Sequence, residues 1–126
     1  CIDGDTIILA GGPRVRLIGA DTPETVKPNT DVQPFGPEAS RFTKEAVARN
    51  GNKVRISFDG TQIDKYDRTL AMVWLGEELL NERLIREGLA KAQLQYSYSR
   101  EMKDRFKAAE DAAKRERRGI WSLPEN

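Results

Sequence analysis

Three carboxylates and two arginines are spaced so that they can act together. Asp5 belongs to Asp3-Gly4-Asp5-Thr6, while Asp21 and Glu24 lie in Asp21-Thr22-Pro23-Glu24-Thr25. Arg16 sits in the intervening run Arg14-Val15-Arg16-Leu17-Ile18, and Arg68 follows Asp64-Lys65-Tyr66-Asp67. If the runs around residues 6–9 and 14–18 pair as a hairpin, residues 5 and 21 fall near its open end. Asp5, Asp21 and Glu24 then approach one another, and like charges so close need protons or a cation between them. A divalent ion that prefers oxygen, Ca²⁺ or Mg²⁺, meets that need. A guanidinium adds a planar fork that matches phosphate oxygens and stays charged. Carboxylates, a divalent cation and two arginines together make a phosphodiester site, in which cations offset developing charge and a carboxylate positions or deprotonates water. Each piece also has an ordinary reading: Asp-Gly-Asp and Asp-Thr-Pro are common turn chemistry, and a lone arginine commonly pairs with a neighbouring acid.

Composition narrows the alternatives. The chain has 126 residues, 21 Lys+Arg against 20 Asp+Glu, one Cys and no His. Without His there is no Ser-His-Asp triad, no Cys-His pair and no imidazole base. One Cys cannot form an intramolecular disulfide or the usual structural zinc site. A net charge of +1 makes no global trap for polyanions, so a nucleic-acid site must come from local clustering. No run approaches the roughly 20 apolar residues of a membrane helix. The chain opens on Cys1 rather than Met, inside an apparent strand, which is the expectation for a trimmed or processed protein.

These residues need a scaffold, and the pattern supplies one. Thr6–Leu9 and Arg14–Ile18 read as strands around the turn signal Ala10-Gly11-Gly12-Pro13, with Val15 and Leu17 on one face and Arg14 and Arg16 on the other. Residues 21–36 read as a long surface loop. Pro37 opens a helix that stops at Asn50-Gly51. Strands are expected over 53–58, with Val54, Ile56 and Phe58 inward, and over 70–75, apolar on both faces and therefore central. A short helix over 77–87 carries Leu80, Leu84 and Ile85, a brief strand covers 89–94, and an amphipathic helix runs over about 100–118. The expected core joins Val15, Leu17, Val54, Ile56, Leu70 and Met72 with Phe42, Leu84 and Phe106 from the helices. The fold class is α+β, a small barrel with helices around it, in one domain over 1–126.

In order along the chain, Asp-Gly-Asp-Thr, Arg-x-x-x-x-Asp-Thr-Pro-Glu-Thr, Gly-Pro-Glu-Ala-Ser, Asp-Lys-Tyr-x-Arg, Gly88-Leu89-Ala90-Lys91 and Gly119-Ile120-Trp121-Ser122 resemble the staphylococcal nuclease family. The resemblance covers essentially the whole chain. It implies an OB-fold, a five-stranded β-barrel with three packed α-helices, here with its first strand truncated at the N-terminus. It also implies Ca²⁺-dependent hydrolysis of DNA and RNA leaving 3′-phosphates. By position, Asp5, Asp21 and the Thr22 carbonyl resemble the Ca²⁺ ligands, and Glu24 resembles the general base. Arg16 and Arg68 resemble the phosphate-binding arginines, and Lys65, Tyr66 and Tyr96 resemble residues of the nucleotide groove. Leu94 stands where the family has a second pocket tyrosine, with Tyr98 as its candidate substitute, and Asp67 replaces a usual glycine beside Arg68.

The reading that follows is a secreted or periplasmic, monomeric, sugar-non-specific nuclease without membrane attachment. The competing reading is a non-catalytic OB-fold module that binds nucleic acid or protein, a role in which the six active-site residue types would have no reason to persist.

Overall fold

A computed structural model describes residues 4–23, 34–60, 63 and 68–123. Glu24, Lys65, Tyr66, Asp67 and most of the expected loop over 21–36 lie outside the described residues.

The hairpin forms as its alternation predicts. β1 (Thr6–Ile8) pairs antiparallel with β2 (Arg14–Leu17), with Thr6 opposite Arg16 and Ile8 opposite Arg14. Val15 and Leu17 are fully buried, Arg14 is exposed and Arg16 is half-buried. On its other side β2 pairs in parallel with β5 (Thr69–Leu75), with Arg16 opposite Leu70. A parallel pair needs a crossover. Here it contains β3 (Ala20–Asp21), α1 (Gly36–Arg49) and β4 (Arg55–Ser57). β5 also pairs antiparallel with β4 and, through its last two residues, with β6 (Glu78–Leu79). It is therefore central, and Ala71, Met72 and Val73 are buried in succession because both faces are covered. β3 forms a separate two-stranded ribbon with β7 (Lys91–Ala92). The main sheet runs β1-β2-β5-β4, and among the described residues no ladder joins β1 to β4 to close a barrel.

Three helices pack around this mixed sheet. α1 has Pro37 in its first turn and buries Ala39 and Thr43, with Phe42, Ala46 and Val47 half-buried against the core. α2 (Leu80–Arg86) is shorter than the helix expected over 77–87. Its first residues instead extend as β6, because Leu75 and Glu78 pair across the two-residue turn Gly76-Glu77 and the backbone of β5 offers partners there. Leu80, Leu84 and Ile85 are buried as expected. The strand expected over 89–94 contracts to β7, and α3 (Arg100–Arg115) buries Phe106, Ala109, Ala112 and Ala113. Val54, Ile56 and Leu70 are half-buried rather than central. Phe58 is 54% exposed, a correction to its inward assignment. The β4 ladder ends at Ser57, and Asp59 is drawn instead to Ser99, accepting from its N–H at 2.8 Å and its hydroxyl at 2.7 Å.

Candidate active site

Arg16 is the hub. Strand alternation turns its side chain off the core face of β2, and the turn at Ile18-Gly19 folds Ala20 back towards it. Nη1 donates to the Leu17 carbonyl at 2.5 Å and to the Ala20 carbonyl at 2.6 Å. Nη2 lies 3.4 Å from Asp5 Oδ2 and 3.6 Å from Asp21 Oδ1, and donates to Gln93 Oε1 at 3.3 Å. Gly19 (φ +76°) permits this turn, since a Cβ there would lie 2.7 Å from the Phe106 ring and 2.8 Å from the Tyr98 hydroxyl.

The two carboxylates reach Arg16 from different elements. Asp5 precedes β1, and its carbonyl accepts from Leu17 N–H at 2.9 Å. Its Oδ2 accepts from Thr22 N–H at 3.0 Å and its Oδ1 from the Thr6 hydroxyl at 3.1 Å. α1 holds the preceding residue: the Thr43 hydroxyl donates to the Gly4 carbonyl at 2.6 Å. Gly4 must remain glycine, because a Cβ would lie 2.9 Å from Ala39 and from Thr22 Cγ2. Asp21 sits on β3 opposite Lys91 and is half exposed. Its carboxyl is raised above the usual range, chiefly by burial and further by Asp5, while Arg16 and then Lys91 oppose the shift. The charged form of Asp21 is thus under-compensated. Among the described residues the buried Thr22 hydroxyl has no hydrogen-bond partner. Two carboxylates facing one guanidinium nitrogen, with an under-compensated charge beside an orphaned hydroxyl, fit a hard cation bound by oxygen. Among the described residues no group of three or more acidic, His or Cys side chains forms a metal cluster.

Asp5, Arg16, Asp21 and Thr22 are therefore brought together. Arg68, half-buried, immediately precedes β5, and the pairing of Arg16 with Leu70 puts it two residues along the same face. Tyr96 stands apart in the connection from β7 to α3 and is 54% exposed. Tyr98 is no substitute for a stacking aromatic. It is buried, its ring is centred 5.8 Å from that of Phe106, and its hydroxyl donates to the Gln93 carbonyl at 2.6 Å. Burial, aided by Asp59, pushes this phenol up to about 12.

Two amides at the site carry no advance signal of their roles in the amino-acid pattern. Gln93 donates its N–H to the Gly19 carbonyl at 2.8 Å, in addition to its bonds with Arg16 and Tyr98. Asn81, fully buried, accepts from Val73 N–H at 3.0 Å and donates to the Ile18 carbonyl at 2.8 Å, tying α2 to the turn beside Arg16.

The profile of the family described as "Staphylococcal nuclease homologue" matches residues 14–123, and the chain belongs to that family. It is 48% identical over 124 residues to the thermonuclease of Staphylococcus hyicus, covering 96% of this chain and 72% of that protein. The thermonuclease of Staphylococcus intermedius is also 48% identical, over 95% of this chain and 71% of its own length. Endonuclease YncB of Bacillus subtilis (strain 168) is 42% identical, over 96% of this chain and 58% of its own length.

Proposed function

We propose that this chain is a Ca²⁺-dependent nuclease that hydrolyses phosphodiesters of DNA and RNA to leave 3′-phosphates. The observation that carries the reading is the meeting of Asp5 and Asp21 at the same nitrogen, Nη2, of Arg16. In this reading Asp5, Asp21 and the Thr22 carbonyl hold the ion. Ca²⁺ tolerates irregular oxygen coordination better than Mg²⁺. When bound, it supplies positive charge against the phosphate oxygens.

Arg16 and Arg68 bind the phosphate and oppose the charge it gains in the transition state. Glu24 takes a proton from water as the water oxygen bonds to phosphorus. The bond from phosphorus to the 5′-oxygen breaks, and that oxygen takes up a proton from solvent. Lys65, Tyr66 and Tyr96 are assigned to binding of the adjoining nucleotides. The fold of this single domain is read as an OB barrel whose β1 edge faces the start of β4.

Hydrolysis of single-stranded DNA and RNA, measured with Ca²⁺ and with chelator and followed by end-group analysis, tests the reading. Rapid cleavage with Ca²⁺ and 3′-phosphate ends are expected. Undiminished hydrolysis in chelator would remove the metal from the scheme. Nucleic-acid binding with no cleavage under any condition would favour the non-catalytic module.

A further inference from the structure

Beside the site lies a cleft of ≈ 340 Å³ lined by Leu94, Tyr98, Arg100, Lys103, Asp104 and Lys107. It shares a wall with the Arg16 centre. Leu94 follows Gln93, whose side chain accepts from Arg16, and the Tyr98 hydroxyl donates to the Gln93 carbonyl. Three cations and one carboxylate line it.

Among the described residues, two of its three cations lack an acidic partner. Lys107 bonds Asp111 at 3.2 Å. Among the described residues Arg100 and Lys103 have no carboxylate within ion-pair distance, and the Lys103 ammonium rests 5.2 Å from the centre of the Tyr98 ring. Arg100 and Lys103 occupy the first two turns of α3. Cations there oppose the helix dipole, which favours acids at the N-terminus and bases at the C-terminus. The helix dipole does not account for them. In a cleft between α2 and α3, by contrast, Arg83, Arg105 and Arg118 pair with Glu78, Glu82 and Glu87.

We propose that this cleft binds the phosphate backbone of the nucleic-acid strand flanking the scissile bond, with Arg100 and Lys103 as the contacts. The strand leaves the Arg16 centre past Gln93 and crosses Leu94, so grip on the flank comes from charge. The proposal rests on the phosphodiesterase reading.

The test compares R100Q/K103Q with the wild-type protein on a single-stranded oligonucleotide of about twenty residues, and with R49Q/R115Q, which removes equal charge outside the cleft. Affinity is measured against salt concentration. Each lost phosphate contact flattens the logarithmic salt slope by about 0.7, so about 1.4 is expected for R100Q/K103Q. Turnover of a dinucleotide, too short to reach the cleft, should stay at the wild-type level. The R49Q/R115Q slope should be unchanged. An unchanged slope in R100Q/K103Q, or an equal change in R49Q/R115Q, overturns the proposal. If the wild-type protein hydrolysed neither the oligonucleotide nor the dinucleotide with Ca²⁺, the phosphodiesterase reading itself would fall, whatever the slopes. The melting temperature of R100Q/K103Q should stay close to the wild-type value, since relief of unfavourable charge at the N-terminus of α3 offsets the lost contact of Lys103 with the Tyr98 ring.

Discussion

The outer face of α2 and α3 and the Arg16 centre use the same residue types to opposite ends. On the outer face Arg83 lies between Glu78 at 2.9 Å and Glu87 at 3.0 Å, and Arg105 grips Glu82 with two bonds of 2.7 and 3.1 Å. Arg118 lies between Glu87 at 3.1 Å and Glu116 at 3.0 Å. These pairs are short, partly exposed and shared among several acids and bases. At the centre one half-buried guanidinium faces two carboxylates at 3.4 and 3.6 Å, and one of them is left under-compensated. Exposed pairs satisfy each other and are worth little individually. The centre keeps an imbalance that a cation or a phosphate can resolve.

The largest expected effect comes from replacing the hub. Arg16→Lys retains charge but loses the planar fork, and should lower kcat on a short oligonucleotide by about 10³-fold or more. A change under tenfold would show that the centre behaves like the outer face. Gly4→Ala comes next. Its Cβ would press on Ala39 and Thr22 Cγ2 at 2.9 Å, costing about 1–3 kcal/mol by overpacking and displacing Asp5. Denaturant unfolding and activity should fall together.

Gln93→Met keeps the length of the side chain and removes its acceptor for Arg16. It should reduce kcat/KM about tenfold, the worth of one hydrogen bond to a charged group. In an Arg16→Lys background the same change should add nothing, and full additivity would mean that Gln93 acts independently of Arg16.

Asp21→Asn separates the two regions by stability. Because the folded protein raises this carboxyl, its contribution is favourable below the unfolded carboxylate range and is lost as pH rises through the folded value. Without metal the variant should therefore melt slightly higher than wild type at pH 7, and the gap should close on acidification. Added Ca²⁺ should raise the melting temperature of the wild-type protein and not that of the variant. The smallest effect belongs to the outer face. A double-mutant cycle on Glu82 and Arg105 should give a coupling of about 0.2–1 kcal/mol that shrinks with salt.

Much of the fold was legible from local pattern, and its errors share one cause. Alternation placed Val15 and Leu17 inside, and helical periodicity placed Phe106, Ala109 and Ala113 on one buried stripe. The start of α2 was misassigned because the run from Glu77 suits a helix, whereas the open edge of β5 draws Glu78 and Leu79 into a ladder. Phe58 continues an alternation whose ladder stops one residue earlier. Tyr98 gave no sign that its hydroxyl would be spent on the Gln93 carbonyl. In each case a partner distant in sequence overrode a local preference.

The amino-acid sequence by itself determined which chemistry was available. Absence of His removed imidazole catalysis, and the order of Asp5, Arg16, Asp21, Glu24 and Arg68 carried the resemblance to a family that the profile match then bore out. Residue types and short periodicities are local properties, so they can be read without a fold. Only the tertiary structure decided that Asp5 and Asp21 face the same nitrogen of Arg16, that Gln93 accepts from it, and that Arg100 and Lys103 line a neighbouring cleft without acidic partners among the described residues. Those facts depend on distances between residues as far apart as 16 and 93, which are set when β2, β3, β7 and α3 pack together and which no local pattern encodes.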